Sequence, residues 1–157
     1  MDTKLLFVCL GNICRSPSAQ GIMEKLIDDR KMTSCISVDS AGTYGGHQGE
    51  LPDSRMRAHA RKRGYELTHR SRQVKRVDFE TFDLIIAMDD RNYHDLMELA
   101  PDLESQAKIR RMVEFSDNLM HDHVPDPYYS GADGFELVLD ILEDACKGLL
   151  EELIRRK

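Results

Sequence analysis

The sequence predicts one α/β domain over residues 1–157, with a mostly parallel sheet flanked by helices on both faces. Short apolar runs alternate with segments in which apolar residues recur at helical spacing, a pattern typical of a parallel sheet with crossover helices. The run at residues 84–88 is continuously apolar, as expected for a strand buried on both faces. A chain of 157 residues also has the size of a single domain with one core.

Four runs of the chain are predicted to form the strands of this sheet. The runs at residues 4–9 and 82–88 are mainly aliphatic and aromatic. The run at residues 36–39 is shorter, and the run at residues 109–115 is a weaker candidate because it contains two arginines. Ligands of parallel sheets bind beyond the carboxyl ends of the strands, so the break that follows Cys9 is the candidate site.

Helices are predicted between the strands and at the end of the chain, where apolar residues lie three or four positions apart. The first is expected over residues 18–29, with Ser16 or Ser18 as its N-cap. The remaining helices are expected from Asp53 or Ser54 to Gly64, from Asp89 or Asp90 to Pro101, and over residues 134–155.

Charge and hydropathy exclude several classes of function. The net charge of −6 argues against generic nucleic-acid binding, which requires a basic surface. No apolar run approaches the roughly 20 residues that span a bilayer, and the first apolar run is too brief for a signal peptide, so we expect a cytoplasmic protein without a membrane partner. Residues 55–76 carry nine Lys or Arg against Glu66 alone, which indicates a solvated helix face or a basic rim for an anionic substrate.

The four cysteines of the chain are too sparse to indicate a disulfide framework. Cys9 and Cys14 lie five positions apart after an apolar run, a spacing that suits a reactive thiol with a neighbouring thiol. Cys35 and Cys146 occupy expected core positions, where we predict buried and unreactive thiols.

The segment from Cys9 to Ser16 has the pattern Cys-x5-Arg-Ser between a predicted strand and a predicted helix. A loop that enters a helix directs several backbone N–H groups at one point and forms an anion site. Gly11 and Asn12 permit the necessary curl, and the fork of Arg15 binds two phosphate oxygens at once. The positive potential favours the thiolate of Cys9, the nucleophile. The predicted phosphate-binding residues are Leu10, Gly11, Asn12, Ile13, Cys14, Arg15 and Ser16.

A leaving group that departs from phosphate needs a proton, and Asp126 is the candidate acid. Prolines on both sides hold it in an extended segment, and Tyr128 and Tyr129 offer an aromatic wall for a flat substrate. An ordinary Asp-Pro turn is the alternative interpretation of this segment, and both remain open.

Neither a metal nor another cofactor is predicted. The run His121-Asp122-His123 contains two metal-ligand residue types, but no further Cys or His lies nearby at ligand spacing. A solvated loop is therefore the favoured interpretation of this run, and the Cys-x5-Arg chemistry itself requires no metal.

Taken together, these residues resemble the low-molecular-weight protein tyrosine phosphatases. The resemblance runs along nearly the whole chain, and its four motifs come in the order of the family. They are residues 7–17, residues 39–43, residues 87–89 with Asn92, and residues 126–129.

The resemblance implies a four-stranded parallel sheet flanked by helices, and it assigns roles to individual residues. Cys9 would form a phosphocysteine, Arg15 would bind the phosphate, and Asp126 would protonate the leaving group and then activate water. The resemblance further implies that Ser16 assists the thiolate and that Asn12, Ser40 and His69 stabilise the strained loop. It implies that Asp89 orients Arg15 and that Tyr128 and Tyr129 line the substrate cleft. It also implies that Cys14 forms a reversible disulfide with Cys9 on oxidation.

One departure from the family pattern concerns the substrate cleft. Bacterial members often carry a Trp after the Ser-Ala-Gly-Thr motif, whereas this chain has no Trp and has Tyr44 at this place. Tyr44 is expected to replace that aromatic wall, unless the cleft is wider. The implied partners are proteins or peptides that contain phosphotyrosine, and a monomer is expected.

Three alternatives to a tyrosine phosphatase share parts of this pattern. Arginine phosphatases of the same family tend to have Thr where Ile13 stands, so Ile13 favours phosphotyrosine. Arsenate reductases on this fold need an extra pair of redox cysteines, and residues 80–95 contain none. A catalytically idle phosphate-binding or redox-sensing module would use Cys9 and Cys14, but it would have no need of an acid such as Asp126.

Overall fold

Four parallel strands form the sheet in the computed structural model, which describes residues 2–117 and 121–156. In chain order the strands are β1 (Thr3–Cys9), β2 (Ile36–Gly42), β3 (Leu84–Ala87) and β4 (Ile109–Arg111). Their spatial order is β2-β1-β3-β4, so β1 is hydrogen-bonded on both sides. Its last residue, Cys9, is paired with Gly42, which places the nucleophile candidate at the carboxyl edge of the sheet centre.

Six α-helices surround this sheet within the described part of the chain. They are α1 (Arg15–Asp29), α2 (Ser54–Lys62), α3 (Asp78–Thr81), α4 (Asp90–Leu99), α5 (Leu103–Ala107) and α6 (Ala132–Arg155). A 3-10 helix at Met112–Phe115 follows β4. None of the helices described is long and apolar enough to cross a membrane.

Two apolar cores lie on opposite faces of the sheet, because successive residues of a strand point to opposite sides. Leu5 and Phe7 pack with residues of α1 and α6 in the larger core. Leu6 and Val8 pack with residues of α3 and α4, among them Leu96, in the smaller core. Helices therefore flank both faces, and the predicted fold class is confirmed.

The strands differ in length from the prediction. β2 continues beyond residue 39 to Gly42, because Ser40, Ala41 and Gly42 pair with the end of β1. β3 covers only Leu84–Ala87, and β4 ends at Arg111, where the chain turns into the 3-10 helix. The expected strand over residues 109–115 is therefore wrong beyond residue 111.

The helix boundaries contain one clear error. α1 begins at Arg15 instead of residue 18, and neither Ser16 nor Ser18 caps it, because Cys14 occupies the N-cap position without a side-chain hydrogen bond. The predicted starts of the next long helices are confirmed, since Asp53 caps α2 and Asp89 caps α4 through their side chains.

Other differences are smaller. α6 begins at Ala132, two residues before the predicted start, and the short helices α3 and α5 were not predicted. Cys146 is buried as predicted, whereas Cys35 is only half-buried, so its assignment to the core is wrong.

Candidate active site

The loop between β1 and α1, residues 9–16 (loop 9–16), curls tightly against the end of β2. Asn12 adopts a left-handed conformation with φ of 58°, as the sequence allowed. The curl brings loop 9–16 so close to β2 that a Cβ on Gly42 would lie 2.6 Å from the Leu10 carbonyl oxygen and 3.1 Å from the Asn12 nitrogen. Glycine is therefore required at position 42 for this loop to close.

The side-chain amide of Asn12 holds the curl from inside the protein. Its Nδ2 donates to Ser16 Oγ at 2.7 Å and to Ser40 Oγ at 3.0 Å. Its Oδ1 accepts from the backbone N–H of Arg72 at 3.1 Å and lies 3.0 Å from His69 Nε2. Asn12 is fully buried, and these four contacts satisfy its amide, so the left-handed residue is fixed by its surroundings.

Ser16 links this network to the sulfur of Cys9. Its Oγ lies 3.0 Å from Cys9 Sγ, and its backbone N–H donates to the same sulfur at 3.4 Å. Because Ser16 Oγ already accepts from Asn12, its own hydrogen can point at the sulfur or at the Ala41 carbonyl oxygen, which is 3.4 Å away. The sulfur also lies next to the N-terminus of α1, whose dipole favours negative charge.

Arg15 is the first residue of α1 and is only 2% exposed. Its Nη1 donates to Asp89 Oδ2 at 2.7 Å and to the Val124 carbonyl oxygen at 2.9 Å. Burial opposes its charge, but Cys9 and Asp89 raise the pKa of Arg15, so the guanidinium stays positive. Its Nη2 points toward Asp126, whose Oδ2 lies 3.9 Å away.

A cavity of about 260 Å³ opens above loop 9–16. The predicted cleft residues Tyr44, Tyr128 and Tyr129 line it together with Asp126. Its full lining consists of Cys9, Leu10, Gly11, Ile13, Cys14, Arg15, Tyr44, His47, Asp126, Tyr128 and Tyr129.

One wall of this cavity is aromatic. Tyr44 and His47 meet edge to face at 6.2 Å between centroids, and His47 lies 6.4 Å from the ring of Tyr128. Tyr129 meets Tyr128 edge to face at 4.9 Å and is itself 95% exposed. The arrangement offers flat apolar surface to a planar ligand whose charged end reaches Cys9 and Arg15.

The two neighbouring thiols predicted from the sequence share this cavity. Both Cys9 and Cys14 line it, and both are free thiols. Burial, followed by the nearby charges of Asp53 and Cys9, raises the pKa of Cys14. Cys14 is therefore a neutral thiol at physiological pH.

Several residues at the site have no local sequence pattern that predicts their position. His47 lines the cavity, although only the glycines around it signalled a loop. Gln20 accepts from Ser40 Oγ at 2.6 Å, and Ser71 Oγ donates to the Gly11 carbonyl oxygen at 2.9 Å. These residues lie far along the chain from their partners, so local sequence patterns do not predict their contacts.

Two other candidate features lie apart from the cavity. None of the nine basic residues of segment 55–76 lines it, and Arg63 and Arg72 are engaged in ion pairs with acidic side chains. His123 contacts the adjacent Asp122 on the surface. Over residues 2–117 and 121–156, no three His, Cys, Asp or Glu side chains are grouped so that they would hold a metal ion.

Known proteins share both the sequence and the fold of this chain. Residues 4–157 match the model of the low molecular weight phosphotyrosine protein phosphatase family. A relative from Synechocystis is 47% identical over 150 residues, which cover 96% of each chain. The crystal structure of a protein tyrosine phosphatase from Entamoeba histolytica is 47% identical, covers 98% of each chain and superposes with a TM-score of 0.96.

A more distant structure is that of a Drosophila arginine phosphatase. It is 30% identical to this chain, covers 96% of this chain and 98% of its own, and superposes with a TM-score of 0.86. Proteins of this fold are therefore named as tyrosine phosphatases and as arginine phosphatases. The match over nearly the whole sequence, together with the loop geometry, shows that this chain belongs to the low molecular weight phosphotyrosine protein phosphatase family.

Proposed function

We propose that this protein is a cysteine-dependent protein tyrosine phosphatase, which hydrolyses phosphotyrosine in proteins or peptides. The observation that carries the proposal is the convergence of Cys9, Arg15 and Asp126 on one cavity with an aromatic wall. Arg15 supplies a buried positive charge beside the sulfur, and Asp126 supplies a carboxyl group at the cavity mouth.

In the first step, the Cys9 sulfur attacks phosphorus and the bond from phosphorus to the tyrosine oxygen breaks. Arg15 and the backbone N–H groups of loop 9–16 hold the three equatorial oxygens while their charge develops. The protonated carboxyl of Asp126 gives its proton to the departing phenolate oxygen. The products are tyrosine and a phosphocysteine on Cys9.

In the second step, water attacks the phosphocysteine. Asp126, now a carboxylate, accepts a proton from this water, and the bond from phosphorus to sulfur breaks. The departing sulfur regains its negative charge, which is stabilised by the hydroxyl of Ser16, 3.0 Å away. Inorganic phosphate leaves, and Cys9 and Asp126 return to their starting states.

The aromatic wall supports phosphotyrosine as the substrate. Tyr44, His47 and Tyr128 present ring surfaces to a planar side chain that enters toward Cys9. Ile13, which also lines the cavity, adds apolar surface without a hydroxyl group. Phosphoarginine is the second candidate, because a relative on the same fold is named an arginine phosphatase.

Hydrolysis of three phosphopeptides in the presence of a chelator tests the proposal. We expect the wild type to cleave phosphotyrosine faster than phosphoarginine or phosphoserine, and Cys9→Ser to be inactive. Cys35→Ser is the matched control. Cys35 lies just before β2, at the end of the sheet opposite the site, so this variant should retain full activity. A preference for phosphoarginine would favour the second candidate, and no turnover in reducing buffer would favour an idle binding module.

Reversible oxidation is a further part of the proposal. Peroxide would oxidise the Cys9 thiolate to a sulfenic acid, and the thiol of Cys14 would then displace water and form a disulfide. The presence of both free thiols in one cavity supports this sequence. We expect Cys14→Ser to lose the recovery of activity that thiol treatment gives the peroxide-treated wild type, and equal recovery would contradict it.

A further inference from the structure

Arg55 lies in the first turn of α2, outside the cavity lining, yet its guanidinium contacts several groups beside the cleft. Nε and Nη2 donate to the two carboxylate oxygens of Asp53 at 3.1 and 2.9 Å. Nη2 also donates to the Tyr128 carbonyl oxygen at 2.9 Å. The guanidinium lies over the rings of Tyr128 and Phe135, 5.5 and 5.0 Å from their centroids.

Asp53 ties Arg55 to loop 9–16. The backbone N–H of Asp53 donates to the carbonyl oxygen of Ile13 at 2.8 Å. Its Oδ1 accepts from the backbone N–H groups of Arg55 and Met56 and so caps α2. The position of the Arg55 guanidinium is therefore fixed relative to loop 9–16, although nearly half of its side chain is exposed.

Arg55 also fixes one end of residues 124–128 (loop 124–128). The other end is fixed by Arg15, whose Nη1 donates to the Val124 carbonyl oxygen. Asp126 lies between these ends, and its Oδ1 accepts from the backbone N–H of Tyr128 at 3.1 Å. The direction of the Asp126 carboxyl consequently depends on where the backbone of Tyr128 is held.

The geometry points to Arg55 as a positioning residue, which holds loop 124–128 so that Asp126 reaches the leaving oxygen of the substrate. This inference rests on the proposed phosphatase function. One planar guanidinium serves three oxygen acceptors and stacks on two rings, an arrangement that the ammonium group of lysine cannot reproduce. Phosphate itself is held by Arg15 and loop 9–16, so the loss of Arg55 should impair proton transfer and leave phosphate binding intact.

The comparison of two substrates separates these effects. We expect kcat/KM of Arg55→Met to fall on the order of tenfold for a phosphotyrosine peptide, because small displacements of a catalytic group are costly. For p-nitrophenyl phosphate we expect a loss below about threefold, because its more acidic phenol needs less protonation to leave. Inhibition by inorganic phosphate should change by less than about twofold, because Arg55 does not line the cavity and phosphate is held by Arg15 and loop 9–16.

Two further variants guard against a general structural effect. Arg55→Lys keeps the positive charge and the helix. We expect its kcat/KM for the phosphotyrosine peptide to be nearly as low as that of Arg55→Met. Arg61→Met on the same helix removes an exposed ion pair with Glu66 and should leave both substrates unaffected. Equal losses on both substrates, weakened phosphate inhibition or full rescue by lysine would each overturn the inference.

A double-mutant cycle with Asp126→Asn distinguishes this inference from the proposed function. Asp126→Asn alone should lower kcat/KM for phosphotyrosine at least about 100-fold, and near-normal activity would overturn the acid role of Asp126, whereas a wild type without turnover would overturn the function itself. If that loss is observed, adding Arg55→Met should cost less than about twofold more, because Arg55 acts through Asp126. Multiplicative losses would show that Arg55 acts independently, and the positioning role would be wrong.

Discussion

The carboxylate of Asp89 serves Arg15 and α4 at the same time. Its Oδ2 accepts from Arg15 Nη1 at 2.7 Å, and its Oδ1 accepts from the backbone N–H of Asn92 at 2.8 Å. The guanidinium is thus anchored to the start of a helix, whose own position is set by packing on the sheet. This anchor uses Nη1 alone, and Nη2 faces Asp126 at the cavity, 3.9 Å from its Oδ2.

Asp89→Asn should therefore weaken the binding of phosphate. A neutral amide removes the charge that balances the buried Arg15, and a hydrogen bond to a charged group contributes about 1.5–3 kcal/mol. We expect the inhibition constant of inorganic phosphate to rise at least about tenfold, with kcat/KM falling by a similar factor. Asp90→Asn is the control, because Asp90 pairs with Arg111 on the surface, and a similar loss in this variant would contradict the role of Asp89.

Asn12 contributes both its amide and its left-handed backbone to loop 9–16. Asn12→Ala should lower the free energy of unfolding by about 2–4 kcal/mol, because buried partners lose their hydrogen bonds and alanine is strained at φ of 58°. Asn12→Gly relieves the strain alone and should be about 1 kcal/mol more stable than Asn12→Ala. Urea unfolding followed by circular dichroism measures both, and equal stability of the two variants would exclude the strain.

The pairing of Arg63 with Glu136 should make stability depend on pH. Hydrogen bonds from Arg63 and His59 hold the pKa of Glu136 below its usual range. The ionised Glu136 therefore adds to the free energy of unfolding at pH values above its pKa in the unfolded chain, about 4.3. This stabilisation is lost as pH falls through the lower pKa of the folded protein. We expect the melting temperature of Arg63→Met to fall less steeply with acid over this window than that of wild type. Parallel curves would contradict this account.

Gly148 lies inside α6, where a change to alanine ordinarily stabilises a helix by about 1 kcal/mol. Here a Cβ would overlap the carbonyl oxygen of Phe115 in the 3-10 helix. We expect Gly148→Ala to reverse the usual sign and to lower the free energy of unfolding by roughly 1–3 kcal/mol. Urea unfolding beside Gly131→Ala, whose Cβ would meet no atom within 4 Å, measures the difference. Stabilisation of the Gly148 variant would show that the two helices separate easily.

The sequence predicted the parts of the fold that depend on local patterns. A few neighbouring residues predict the apolar run of β3, the starts of α2 and α4 near Asp53 and Asp89, and the stop at Gly64. The predicted β2 was too short because it stopped before the polar residue Ser40. Ser40 is buried in the structure because its hydroxyl is hydrogen-bonded to Asn12 and Gln20.

The candidate site was predictable where it is continuous in the chain. Loop 9–16 carries its own pattern, whereas Ser40 and His69 were placed beside it by family resemblance alone. Arg72 was missed because its contribution is a backbone N–H, which donates to Asn12 at a separation of 60 residues. A backbone donor has no side-chain signature, so only the folded structure reveals it.

The central position of β1 in the sheet also bears on the stage of folding at which the residues of the candidate active site come together. β1 needs partners from both β2 and β3, and Arg15 needs Asp89 and Val124, which lie 74 and 109 residues further along the chain. Contacts of such separation close late, since the entropy of the intervening chain must first be lost. Cys9 and Arg15 are therefore close in the chain from the outset, yet we expect their proposed site to assemble only late in folding.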